Sequence, residues 1–497
     1  MKKIISLALA AVMLALTVSC AGDNDNDPTT ATSAQGGGST TSAPEVTQEF
    51  KPEEADFGGY SFRMFGYESY VGSWKAAEIS EIYAEAENGE PINDSVYNRN
   101  RKVEDLYNID ITLVPVNYQN RTSHGDIALR PILAGEDTYD AALVIGSRMP
   151  QIMTVVGASV DLKSISTLDL DRSWWNANSI KNLSIGGELH AVTGDISLYN
   201  TFAGEVYFIN KKLLADHAMQ NPYEAVRSGK WTLDAAHEMS KMVAKDLNGN
   251  GTVDQDDQFG IVSANVMMEH SVRSTGERYT AKNNDDIPTY TLNSNTISAK
   301  IDKVLEVLRD PVAGFIPERA SGFGNVYLEY AMPKFRDNEA LLLVNQLLVA
   351  FDLRDMQADF GILPMPKFDG TQDEYITTVN DGWATFLWVP STNPDLERTG
   401  TILNALGYYS REYMTPAFFD VTVTNKLIRD TDSLDMLNII KDSYTYDLGS
   451  LYNWGTMTTV LSNIMVNGAN TFASDYAARE DLIKTAMQTT LDAVLGK

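Results

Sequence analysis

The chain is 497 residues long, more than one ordinary hydrophobic core organises, and its 67 Asp and Glu against 39 Lys and Arg give a formal charge of −28. That balance excludes a polyanionic nucleic acid as partner, because phosphate binding needs clustered cations. A single cysteine leaves no intrachain disulfide, so packing and any bound metal carry the stability.

Behind Lys2 and Lys3, residues 4–18 are apolar but too short to span a bilayer, which predicts a cleavable export signal over residues 1–19. Leu16-Thr17-Val18-Ser19-Cys20 resembles the lipobox of bacterial lipoproteins, with Thr17 where that box usually carries leucine. The resemblance implies that Cys20 is acylated and holds the chain to a membrane on its extracytoplasmic face. Residues 20–55 are rich in Asp, Asn, Gly, Ser and Thr, with Gly36-Gly37-Gly38-Ser39 at the centre, and are expected to be a flexible tether. No later apolar stretch reaches membrane-spanning length, since residues 340–351 are interrupted by Asn345-Gln346.

Tyr60-Ser61-Phe62-Arg63-Met64-Phe65 alternates as a strand, with Gly66-Tyr67-Glu68 as its loop. Residues 93–107 read as a helix with Val96, Val103, Leu106 and Tyr107 on one face, and Ile109, Ile111 and Leu113 alternate in the next strand. Residues 139–145 read as a buried strand. Gly146-Ser147-Arg148 then falls at its carboxyl end, where ligands of open α/β sheets gather, so Arg148 is a candidate ligand residue. The Gly186-Gly187 pair within 185–192 predicts a hairpin, and 204–209 another strand. Thr232 is the expected N-cap of a helix that begins at Leu233 and carries Met239 and Val243 on its apolar face. Further strands are expected at 341–344, 360–363 and 385–389, and a closing amphipathic helix carries Ile483, Met487, Leu491 and Val494.

Residues 246–257, Asp-Leu-Asn-Gly-Asn-Gly-Thr-Val-Asp-Gln-Asp-Asp, place oxygen ligands in the register of a calcium loop. Asp246, Asn248, Asn250, the Thr252 carbonyl, Asp254 and Asp257 are the predicted ligands, with Gly251 at the turn and Val253 packed inward. Asp257 is shorter than the usual bidentate glutamate, and Phe259-Gly260-Ile261-Val262 reads as a strand, not an exiting helix. A structural calcium is therefore expected, without the paired helices of a sensor.

Several segments in this order resemble the extracellular solute-binding proteins of ABC importers, in the group of maltose- and oligosaccharide-binding proteins. They are Asn93-Asp94-Ser95-Val96-Tyr97-Asn98, Tyr139-Asp140-Ala141-Ala142-Leu143, Gly194-Asp195-Ile196-Ser197, Tyr207-Phe208-Ile209-Asn210-Lys211, Gly229-Lys230-Trp231-Thr232-Leu233, the calcium-like loop, Phe360-Gly361-Ile362-Leu363-Pro364 and Lys426-Leu427-Ile428-Arg429-Asp430. The resemblance implies a two-lobe α/β fold of the type II periplasmic-binding-protein kind, hinged on crossing strands. It puts residues 56–199 and 374–415 in the N-terminal lobe and 200–373 and 416–497 in the C-terminal lobe. It further implies an oligosaccharide in the cleft, delivery to the membrane subunits of an ABC permease, and no chemistry on the solute.

A sugar cleft needs aromatic faces for C–H surfaces and polar partners for desolvated hydroxyls. Asp381 and Trp383 at the entrance to the 385–389 strand, Tyr199-Asn200 at the first crossover, Asn345 within an apolar run, Tyr67 and Arg148 are the candidates. Trp174-Trp175 or Trp454 are candidates for an outer stacking surface, while Trp388 and Trp231 are assigned to the core. Two rival readings are a polysaccharide hydrolase, which needs two carboxylates across a glycosidic bond, and a passive adhesive lipoprotein. His124, His190, His217, His237 and His270 form no His-x-x-x-His pair, and no Gly-x-Ser-x-Gly elbow is present.

Overall fold

The computed structural model describes residues 50–71, 74–418 and 431–496. The expected signal, the lipobox-like segment with Cys20, most of the expected tether and the segment from Lys426 to Asp430 lie outside the described residues. Nine strands build the two main sheets: β1 Tyr60–Tyr67, β2 Ile109–Val116, β3 Ala141–Ile145, β4 Glu205–Asn210, β5 Phe259–Val262, β6 Gly314–Phe315, β7 Ala340–Gln346, β8 Phe360–Pro364 and β9 Thr385–Trp388.

The first sheet has the order β9-β3-β1-β2. β1 and β2 pair in parallel over their whole length, from Tyr60 opposite Ile109 to Tyr67 opposite Val116, and the helix Pro91–Tyr107 connects them. Parallel neighbours require such a crossover. Its buried stripe includes Val96, Val103 and Tyr107, and the chain turns out of it at Asn108, which is left-handed at φ 50°. β1 runs two residues beyond the expected end because Gly66 and Tyr67 find partners in Pro115 and Val116. β9 closes the sheet antiparallel to β3, with Phe386 opposite Val144.

The second sheet has the order β8-β4-β7-β5-β6. β4 is antiparallel to both β7 and β8, whereas β5 runs parallel to β7 and β6. Every residue of β4, β5, β7 and β8 is buried, and the strands are apolar except at the ends of β4 and β7, where Glu205, Asn210, Asn345 and Gln346 stand. Between the sheets, Thr377–Thr378 pairs in parallel with Tyr444–Thr445, and Gly204 bridges Val379. A β-carbon at Gly204 would stand 2.2 Å from the Tyr444 hydroxyl, so only glycine lets these crossing segments approach.

Thr232 caps the helix Leu233–Lys241 by accepting from the Ala235 N–H. That helix stops before Val243, and its buried side is formed by Leu233, Ala236, His237 and Ser240. The expected hairpin at 185–192 contracts to a turn: Gly186 and Gly187 have φ of 61° and 89°, and one bridge joins Ile185 to Glu188. Val192 exchanges its backbone hydrogen bonds with Leu387 of β9 instead. No described helix is long and apolar enough to cross a membrane.

Candidate functional site

β3 ends at Ile145, and the next three residues wind into a short 3-10 turn, Gly146–Arg148. The turn is tied to the loop before β9: the Gly146 N–H donates to the Ala384 carbonyl at 2.9 Å and the Ser147 N–H to the Asp381 carbonyl at 2.7 Å. Those bonds put Arg148 and Trp383 on the same wall. The facing wall comes from the carboxyl ends of β5 and β7, through Ala264, Val266, Asn345 and Gln346, together with Asn325 and Tyr327 at the start of the helical segment Tyr327–Ala331. Between them lies a cleft of about 530 Å³. It sits where strand ends of both sheets meet, the usual ligand position in open α/β structures.

Trp383 is partly exposed and is held by three rings, Trp74, Tyr118 and Tyr199, at centroid distances of 6.1, 5.9 and 6.4 Å. Trp74 also lines the cleft, so two indoles offer flat apolar surface there. Arg121 donates to the Tyr118 hydroxyl at 2.7 Å and lies 5.0 Å from the centre of that ring. Asn345 accepts from the Gln346 N–H, while the Gln346 amide donates to Glu205.

A buried polar layer supports the floor. Glu205 accepts from Gln346 at 2.9 Å and Asn380 at 3.0 Å, and burial pushes its carboxyl up to about 8. His270 stands 3.5 Å from Glu205 and shares a 2.8 Å hydrogen bond with Thr378. Burial, with Arg273 adding to it, lowers His270 to about 3, so the contact with Glu205 is not an ion pair at neutral pH. Arg273 pairs with Glu269 at 3.4 Å and donates to Ser450 at 3.1 Å.

Of the seven residues expected to touch ligand, Arg148, Asn345 and Trp383 line the cleft. Asp381 does not: its carboxylate accepts from Ser450 at 3.0 Å, and burial raises it to about 7 against the pull of Arg273. Tyr67 is packed against His124 with ring centres 4.1 Å apart. Tyr199 donates to the Ile79 carbonyl at 2.8 Å, and Asn200 accepts from Tyr446 at 3.0 Å. These three side chains stand behind the wall, Tyr199 as a support for Trp383. Trp174, Trp175 and Trp454 are at most 3 % exposed, so they pack in the core and form no outer surface. Trp74, Arg121, Ser147, Asn325, Tyr327 and Asn380 join the lining without having been singled out; they lie on loops or on helical turns of three to six residues, too short for a periodicity to mark them.

The 246–257 loop closes on itself. Asp246 accepts from the N–H groups of Gly249 and Gly251, Asp257 from those of Leu247 and Asp254, and the Asn250 amide donates to Asp254 at 2.7 Å. The donors are all oxygen, as a hard cation requires. In this arrangement they do not converge: no three acidic or histidine side chains among the described residues gather at one point. The Thr252 N–H donates to Asn250, Asn248 donates weakly to Asp254, and Val253 is 37 % exposed where inward packing was expected.

No protein-family model and no curated protein sequence matches the chain. Solved structures do. A cyclo/maltodextrin-binding protein complexed with maltotetraose is 13% identical, with a TM-score of 0.53, over 90% of this chain and 98% of that one. The GacH receptor of Streptomyces glaucescens, solved unliganded and with acarbose, is 12% identical with a TM-score of 0.51, over 88% and 97%. An ABC substrate-binding protein of Listeria monocytogenes in complex with cycloalternan is 12% identical with a TM-score of 0.50, over 88% and 99%. The chain therefore has the two-lobed α/β fold of these proteins.

Proposed function

We propose that this chain is the solute receptor of an ABC import system, taking an oligosaccharide into the cleft and handing it unchanged to a membrane permease. The observation that carries the reading is the cleft wall itself, where Trp383 and Trp74 stand beside the amides of Asn345, Gln346 and Asn380 at the meeting of two sheets. Indoles cover the apolar faces of sugar rings, and amides replace the water that hydroxyls give up. The likeness in fold to structures solved with maltotetraose and acarbose supports the same reading. A glycosidase needs two carboxylates across the scissile bond; the described lining offers arginines, amides, hydroxyls and indoles. In this reading Cys20 bears the lipid that holds the receptor at the extracytoplasmic face of the membrane, and the 246–257 loop takes a structural calcium.

Calorimetric titration with a panel of oligosaccharides tests it, with product analysis of the same mixtures. Unaltered saccharide with saturable binding is expected. Trp383→Ala is expected to weaken binding by about 10- to 100-fold while the melting temperature changes by only a few degrees. Cleaved saccharide, or equal loss of binding and folding in the variant, counts against the reading.

A further inference from the structure

The charged side chains that line the cleft are Arg121 and Arg148, and no Asp or Glu joins them among the described residues. This inverts the balance of the chain as a whole, in which 67 acids face 39 cations. Neither guanidinium has a carboxylate partner in the described structure: Arg121 donates only to the Tyr118 hydroxyl, and Arg148 makes no side-chain hydrogen bond. Arg148 Nε is closed off from solvent without an acceptor.

Three acids bonded to lining residues or to their neighbours make their hydrogen bonds elsewhere than to the two guanidinium groups. Glu318 takes the Tyr327 hydroxyl and the Asn265 N–H, Glu205 takes the amides of Gln346 and Asn380, and Asp381 takes the Ser450 hydroxyl. Two titratable groups that feel the Arg148 charge, His124 and Tyr67, supply no counter-charge. His124 is held neutral, its pKa pushed down to about 3 by burial and by Arg148 itself, and Tyr67 is a buried phenol.

Guanidinium groups only donate. Hydroxyls satisfy them weakly, whereas a carboxylate matches the fork with two parallel charge-assisted bonds. A partly desolvated cation with no partner lowers the stability of the free protein, and an anion arriving with the ligand supplies what is missing.

Resting on the receptor reading above, we propose that the solute is an acidic saccharide of the hexuronate class, whose carboxylate is taken by Arg148 with Arg121 adding to the positive field. The indoles and amides of the same cleft hold the rest of the sugar. In a chain of strong negative charge, a local pair of cations is also what admits an anionic ligand against the long-range field.

The test compares uronic-acid di- and trisaccharides of α and β linkage with their carboxyl-reduced counterparts, using calorimetric titration of the full-length protein. The uronates are expected to bind about 10- to 100-fold more tightly, with affinity falling as salt is raised. Arg148→Gln is expected to erase that preference without lowering the melting temperature, and to raise it slightly, since the guanidinium holds nothing in the fold and its uncompensated burial is relieved. Arg121→Gln is expected to reduce it in part, which guards against misfolding of the first variant. Equal or tighter binding of the reduced sugars overturns the acidic assignment and leaves the receptor reading standing. Binding of neither class overturns both.

Discussion

Glu205 opens β4 without solvent contact, and one of its carboxyl oxygens, Oε2, has no hydrogen-bond partner. Burial raises its pKa from an ordinary 4.5 to about 8, so through most of that window the folded chain keeps a proton that the unfolded chain has released. Stability from this group is full below about pH 4.5 and is lost as pH rises toward 8, at no more than about 1.4 kcal/mol per pH unit. Glu81 and Asp381, both raised to about 7 by burial, act in the same direction. Glu205→Gln keeps an oxygen for the two amides. It is expected to flatten the fall of melting temperature between pH 5 and 8, leaving the variant more stable than the parent at pH 8.5. An unchanged profile by calorimetry places the retained proton elsewhere. The tryptophans show how little one residue's type reveals. Trp388 and Trp231 are buried as expected, yet Trp174, Trp175 and Trp454 are equally buried, and Trp74, never singled out, faces the cleft.

Strands and capped helices followed local pattern closely, because period-two alternation and a Thr at an N-cap act through neighbours a few residues away. The 185–192 segment departs from its pattern for a long-range reason: Leu387, almost two hundred residues later, competes for the backbone of Val192. The 246–257 loop is the element where composition and geometry still differ. Its donors suit calcium while its carboxylates accept its own N–H groups, and a bound ion would exchange those bonds for metal contacts. At the affinity of about 10⁻⁴–10⁻³ M common in extracellular calcium modules, several millimolar calcium is expected to stabilise the protein by about 1–2 kcal/mol over a chelator. Asp246→Asn with Asp254→Asn is expected to abolish that gain. Thermal melts in calcium and in chelator that superimpose would remove calcium from the account.

Across the molecule, the crossing segments at Gly204, Thr377–Thr378 and Tyr444–Thr445 lie between two sheets that share no strand. Hinges of this kind close when ligand adds contacts to both sides. Small-angle scattering is expected to show a smaller radius of gyration with saturating saccharide, and no change in a Trp383→Ala variant at the same concentration. A ligand that saturates without compaction would show that it engages one lobe alone. The α/β character, the strand and helix positions, the cap at Thr232 and the placing of Arg148 after β3 were legible in the order of residues, since each depends on local periodicity or on the polarity of a strand end. Arg121, Trp74 and Asn325 joined the cleft, and Tyr67, Tyr199 and Asn200 left it, only once the sheets and loops met in three dimensions. Which side of a wall an aromatic or amide faces depends on partners far away in the chain, from His124 for Tyr67 to Tyr446 for Asn200, and no local pattern encodes them.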